Sequence, residues 1–368
     1  MIDVSGCTGL CGFCGSVMLF VGVSRVMKKY FGGGEQHQSA GKAYEALIGG
    51  TPMAKLQTAS SITGCNVLVK MECMNVGGTG KDRAAQRMLE MAAAEGILKP
   101  GGHVVEGTSG STGISLACLC LAHGYKLHVV MPDDQADEKR ALLERLGVNV
   151  TVVPCCAISN KRHYVKVAQS LAKELGGFFV NQFENLSNFE VHRDRTGPEI
   201  LLQSMQMAGR PPDAFVMSAG TGGTIAGVSR YLSEVSPHTK VILADPEGSS
   251  LFHRVQSGVC YTPQQSERSV RRHRYDSIVE GVGLDRVTAN FEQARVHSAL
   301  RVCDQDILDT AHWLLREEGI FAGSSSALNV AAACRVALQL GPGHTVVTVV
   351  CDNGGRHLSR FWNPQYVS

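Results

Sequence analysis

Beyond Tyr44 the chain repeats one pattern: a short run of apolar, β-branched residues, then a stretch with helical spacing. HVVE at His103 precedes a helical pattern from Thr112 to His123, and KLHVVM at Lys126 precedes one from Ala136 to Leu146. NVTVV from Asn149, AFVMSA from Ala214, VILAD from Val241 and TVVTVV from Thr345 continue the series, interleaved with helices such as Asp304 to Glu318. Strands alternating with helices imply parallel sheets covered on both faces. The expected fold class is therefore α/β, with open twisted, mostly parallel sheets flanked by helices. In such folds ligands gather in the loops at the carboxyl ends of the strands.

Composition narrows the partners. The formal net charge of +2 offers no field for nucleic acid, so a small-molecule partner is expected and no nucleic acid. Thirteen cysteines at scattered positions do not form the dense framework of a small secreted domain; they read as reduced thiols. No HExxH or similar spacing occurs among the histidines, and no metal is expected.

From Gly9 to Ser24 the chain carries no charge, and Arg25, Lys28 and Lys29 follow at once. This reads as a short membrane anchor, with Val26 and Met27 extending the span to residues 9–27; the other reading is a buried N-terminal helix. The basic flank would keep the catalytic part on the cytosolic side. Residues 1–30 are thus assigned to the anchor, 31–43 (with FGGGEQHQSAGK at its heart) to a flexible linker, and 44–368 to a catalytic region.

Three glycine-bearing loops carry the chemistry. SAGTGGTIAG, from Ser218, follows an apolar strand and runs into a helix. Its glycines let backbone N–H groups approach a ligand, and the helix N-terminus adds positive potential, which suits a phosphate. It is neither a P-loop nor a dinucleotide fingerprint, and a plain tight turn is the alternative. EGTSGSTG, from Glu106, also links a strand to a helix, and its hydroxyls at Thr108, Ser109, Ser111 and Thr112 suit a carboxylate or serve as a helix cap. In MNVGGTGKDRAA, from Met74, Lys81 sits at a helix start, where a cation is disfavoured and asks for a reason. A desolvated lysine amine that acts as nucleophile and base would supply one.

Together with LIGGTPMAKL, NQFENLSNFEVHRDRTGPEI, EGVGLDRV and EEGIFAGSSSALNVAAA, these loops make the chain resemble, from about Tyr44 to Trp362, the cysteine synthase and cystathionine β-synthase branch of fold-type II pyridoxal-phosphate enzymes. The TSGSTG loop, ADPEGS, the RRH stretch before EGVGL and the ending CDNGGRHLSRFW look most like the fungal, mitochondrially anchored cysteine synthase-like proteins. The resemblance implies a two-lobed fold, the smaller lobe at about 85–187 and the larger at about 44–84 and 188–368. It also implies pyridoxal 5'-phosphate held as a Schiff base on Lys81. Gly220, Thr221, Gly222, Gly223 and Thr224 would bind the phosphate, Gly281 would pass close to the cofactor, and Thr108, Ser109, Gly110, Thr112 and Gln182 would bind the substrate. Two positions depart from the family pattern: Ser111 stands where an asparagine would contact the ring hydroxyl, and Asn353 stands for the serine at the ring nitrogen.

The implied reaction is β-replacement, forming L-cysteine from O-acetylserine or a similar activated serine with sulfide or another thiol, Lys81 moving the α-proton. Alternatives are cystathionine formation from serine and homocysteine, serine/threonine dehydration, or, in another class, a catalytically poor membrane-tethered binding protein. A homodimer is expected. The location implied is the mitochondrial outer membrane with the catalytic region facing the cytosol, the alternative being cytoplasmic. Cys7, Cys11 and Cys14 read as apolar thiols rather than a cluster site, adjacent Cys155 and Cys156 receive no role, and the basic run Arg268 to Arg274 reads as a solvated loop.

Overall fold

A computed structural model describes residues 34–261 and 277–367. The anchor segment 9–27, the three N-terminal cysteines and the basic run 268–274 lie outside the described residues. Among the described residues no helix is long and apolar enough to cross a membrane.

Ten strands form two sheets: β1 (Met53–Lys55), β2 (Asn66–Met71), β3 (His103–Gly107), β4 (Lys126–Pro132), β5 (Asn149–Val153), β6 (Phe178–Phe179), β7 (Ala214–Met217), β8 (Lys240–Pro246), β9 (Ser298–Val302) and β10 (Thr345–Val350). One sheet has the order β1-β2-β10-β7-β8-β9, the other β5-β4-β3-β6. Every pairing is parallel except that of β1 with β2. The smaller sheet is drawn from one continuous stretch, and the larger sheet takes strands from both sides of it.

The apolar runs are explained by burial on two faces. In β10, Val346 and Val350 pack with the helix Ser324–Leu340, through Ala327, Leu328 and Ala331, while Val347 and Val349 pack with Ile225 and Val228 of the helix Gly223–Val235. In the smaller sheet Val104 and Val129 face one cluster and Val105 and Val130 the other. A strand covered on both sides cannot alternate apolar with polar, so the run is continuous. Each such valine contributes roughly 1.5–3 kcal/mol relative to exposure.

Residues 31–43 read as a linker from composition, yet Gly34–Glu45 is a helix. After Gly34 the segment holds only one further glycine, Gly41, and no proline. Gly41 seats closely on the His123 ring, and His123 Nε2 meets Glu45 Oε1 at 2.8 Å. Tertiary partners thus override a weak local preference. The described cysteines form no disulfide.

Candidate active site

A cavity of about 100 Å³ lies between the two sheets, at the carboxyl ends of β3, β7 and β10, and all three glycine loops reach it. After β7 the chain turns at Gly220 and enters the helix Gly223–Val235, with Gly222 at φ 87°. A Cβ on Gly220 would fall 2.3 Å from the Gly281 carbonyl oxygen, one on Gly222 2.6 Å from Phe291, and one on Gly223 2.2 Å from Asn188 Oδ1. The loop is therefore closed to side chains on its outer side and open to a ligand on its inner side. Gly220, Thr221, Gly222 and Thr224 line the cavity, whereas Gly223 lies behind them as the first helical residue. Below them, neutral His192 holds the loop: its Nε2 is 3.1 Å from the Thr224 hydroxyl and its Nδ1 2.9 Å from that of Thr196. Burial pushes the His192 pKa down to about 3.

Lys81 opens the helix Lys81–Ala94, and its two successors fix it there. The Asp82 carboxylate accepts from the Gly77 N–H at 2.6 Å and the Ser115 hydroxyl at 2.5 Å. Arg83 is buried between Glu72, at 2.7 Å, and Glu199, at 2.6 Å. Lys81 itself lines the cavity, and no described side chain forms a hydrogen bond or ion pair with its amine. Desolvation pushes its pKa down; the nearby Cys351 and Asp352 oppose the shift without reversing it. A desolvated, unengaged amine in a cavity can act as a nucleophile and a base.

The third loop follows β3 and enters the helix Ser111–His123 through Gly110, at φ 129°. Ser109, Ser111 and Thr112 line the cavity, and so does Gln182, whose Oε1 accepts from the Thr112 hydroxyl at 2.6 Å. Thr108 and Gly110 do not line it: the Thr108 hydroxyl caps the turn by accepting from the Gly110 N–H at 3.1 Å, and Gly110 lies against the stem of Lys139. Gly281, at φ 78°, crosses the mouth opposite Ser109.

Asn353 lies elsewhere than the sequence suggested. It is exposed and outside the cavity lining, and its carboxamide oxygen accepts from the Gly355 N–H at 3.0 Å, capping a short turn. At the floor stand instead Ser325, in the first turn of the helix Ser324–Leu340, and Cys351, just past β10. Burial raises the Cys351 thiol to about 12, so both groups are neutral. Ser325 lies in FAGSSSAL, a segment visible in the sequence but with three consecutive serines and nothing to single out one.

Five charged side chains of the lining also went unassigned: Glu72, which Arg83 holds, and Lys139, Glu280, Asp352 and His357. Lys139 is paired with Glu280, and His357 lies 3.2 Å from Glu280 and 3.1 Å from Asp352. Burial pushes Glu280 up, but the charges of Lys139 and His357 hold it at about 2. The four groups from Lys139 to His357 are therefore engaged with one another.

The residues present fit pyridoxal phosphate: a closed glycine cradle at a helix N-terminus for the phosphate, an unengaged desolvated amine for the carbonyl carbon, and neutral groups beneath for the ring. Comparison with known proteins agrees. The profile of the family described as "Pyridoxal-phosphate dependent enzyme" matches residues 44–352. "Cysteine synthase 2" of Emericella nidulans is 47% identical over 340 residues, covering 86% of this chain and 78% of that protein. The protein named "Putative mitochondrial cysteine synthase" of Saccharomyces cerevisiae is 43% identical, covering 86% of this chain and 83% of its own. Among solved structures, that of O-ureido-L-serine synthase aligns with a TM-score of 0.76 and 32% identity, covering 86% of this chain and 93% of the other. The chain therefore belongs to the pyridoxal-phosphate dependent enzymes, in their cysteine synthase and cystathionine β-synthase branch.

Proposed function

We propose that the chain makes L-cysteine by β-replacement, from O-acetylserine or a similar activated serine and sulfide. The observation that carries this reading is the unengaged amine of Lys81, facing a glycine loop at a helix N-terminus and a hydroxyl-bearing loop across one cavity. Bound pyridoxal phosphate supplies an electron sink for the α-carbon of the amino acid it holds. The protein supplies the rest. Thr221, Thr224 and the backbone of Gly220 to Gly223 hold the phosphate. Ser109, Ser111, Thr112 and Gln182 take the substrate carboxylate, with the N-terminus of the helix Ser111–His123 adding positive potential. With the cofactor bound, Ser325, which lines the cavity where Asn353 does not, would be the hydroxyl available to the ring nitrogen, and Ser111 the one available to the ring hydroxyl. A serine beneath the ring offers no counter-ion for a protonated nitrogen, which favours elimination and replacement over transamination. With the cofactor bound, the Lys81 amine would serve as the base that takes the α-proton, so that the β-substituent could leave and sulfide could add at the β-carbon. The supporting relatives carry the name cysteine synthase at 40–47% identity.

The test is turnover. Purified protein with pyridoxal phosphate is given O-acetylserine, O-phosphoserine or serine, each with sulfide or with homocysteine, and free cysteine, cystathionine and ketoacid are measured. Cysteine from an activated serine supports the reading; cystathionine from serine and homocysteine, or ketoacid release alone, contradicts it.

The uncharged run 9–24 with its basic flank supports anchoring through residues 9–27 in the mitochondrial outer membrane, with the catalytic region facing the cytosol. The word mitochondrial in the yeast relative's name is consistent with that location. Residues 1–40 fused to a fluorescent protein are expected in mitochondria, resistant to carbonate and sensitive to added protease. Diffuse cytosolic signal would favour the cytoplasmic alternative. A homodimer is read alongside, and light scattering at twice the 39.4 kDa chain mass tests it.

A further inference from the structure

Glu106, at the end of β3, is wholly buried beside the substrate-binding loop, yet it does not line the cavity. Its carboxyl group lies against the backbone N–H groups of Asn181 and Gln182 and the Gln182 side chain, and its Oε2 makes no hydrogen bond. Asn181 is the one described non-glycine residue in the left-handed region, at φ 55°. That conformation turns two successive N–H groups inward together.

Gln182 is gripped from every side. Its Oε1 accepts from the Thr112 hydroxyl at 2.6 Å and its Nε2 donates to the Gly107 carbonyl at 3.2 Å. Its backbone carbonyl accepts from Asn188 and from Asn290, each at 3.0 Å, and the same Asn188 nitrogen is 2.9 Å from the Thr221 hydroxyl in the phosphate cradle. The turn at 181–182 is thus the strut between the two ligand loops, and Glu106 is its foot.

We propose that Glu106 is a positioning residue for the amino-acid substrate: its buried carboxyl group fixes the Asn181–Gln182 turn and, through Gln182, the Thr112 hydroxyl at the carboxylate site. Burial raises the Glu106 carboxyl to about 8, which agrees with an uncharged group at neutral pH. An uncharged acid has an isosteric replacement in glutamine, an ionised one does not, and this separates positioning from a need for charge. The inference rests on the reading of Thr112 and Gln182 as carboxylate ligands.

The experiment uses holoenzyme of wild type, Glu106→Gln, Glu106→Asp and Glu106→Ala. L-Alanine, which has no β leaving group, is titrated against the cofactor absorbance to give Kd; KM is then measured separately for activated serine and for sulfide. Glu106→Gln is expected within about twofold of wild type in Kd, while Glu106→Asp and Glu106→Ala weaken alanine and raise the KM for activated serine about tenfold, the effect of displacing one hydrogen-bonding group. The KM for sulfide and cofactor retention stay unchanged. Should Glu106→Ala not fold, Glu106→Asp keeps the acid while retracting it and decides the matter. Unchanged Kd in both shortened variants, or a Glu106→Gln loss as large as theirs, overturns the proposal. If the wild type binds alanine but makes no cysteine, the functional reading fails while this inference is judged on Kd alone.

Discussion

Lys70 and Lys81 occupy neighbouring elements, β2 and the helix that follows it, and in both burial is the largest influence on the amine, pushing its pKa down. Their surroundings differ in one respect. The Lys70 ammonium is fully enclosed and donates to the Thr51 carbonyl at 2.5 Å, Glu199 at 2.7 Å and Gln203 at 2.9 Å. Lys81 faces a cavity with no such partners among the described residues. Low dielectric alone does not make a lysine reactive; low dielectric without a carboxylate does. Arg83 sharpens the contrast, because it gathers Glu72 and Glu199 to itself and leaves Lys81 with no carboxylate of its own.

The largest break in this comparison comes from removing the unpaired lysine. Lys81→Ala should cost at least about 10³-fold in cysteine formation, since nucleophile and base are lost together. Its urea midpoint should hold or rise slightly, because a desolvated amine without partners contributes nothing to the fold. Next comes the cradle that makes the cavity worth facing. Gly222→Ala with Gly223→Ala should weaken cofactor affinity by about tenfold or more, read by absorbance titration, as the new Cβ atoms meet Phe291 and Asn188.

Removing the paired lysine should do the reverse. Lys70→Met should lower stability by about 1–3 kcal/mol in urea, discounted because Glu199 is 22% exposed and keeps Arg83. Cofactor affinity should stay near wild type. The smallest effect is in acid. Burial pushes Glu199 up, but its Arg83 and Lys70 contacts outweigh that and hold it at about 2. A depressed carboxylate stabilises the fold above its unfolded pKa, and that contribution is lost as pH falls through the folded one. Wild-type stability should therefore decline between about pH 4.5 and 2, and the decline should be shallower in Lys70→Met, where Glu199 has one cation fewer.

How the sequence related to the site follows from the same physics. The two-faced strands were legible because burial on both sides writes continuous apolar runs such as TVVTVV. The turns that bring Lys81 and the glycine loop after β7 to the cavity were legible because backbone conformation demands glycine at fixed places beside a helix start. The place of Ser325 in the cavity lining was not, because it depends on which turn of a distant helix reaches the cavity, and three serines in a row read alike. Asn353 misled for the converse reason: it sits in a motif that reaches the cavity through Cys351 and Asp352, whereas its own side chain caps a turn. Lys139, Glu280 and His357 carried no local signal, since their pairing joins segments far apart in the chain. The helix Gly34–Glu45 was missed because glycine and polar content describe a free segment, and packing on His123 is not local information.

The central claim is that one of these two buried lysines is chemically available and the other is not. Holoenzyme reduced with borohydride, digested and mapped by mass spectrometry reads this directly. The account predicts the phosphopyridoxyl mass on the peptide containing Lys81 and its absence from the peptide containing Lys70. The label on Lys70, on any lysine other than Lys81, or on none would contradict it.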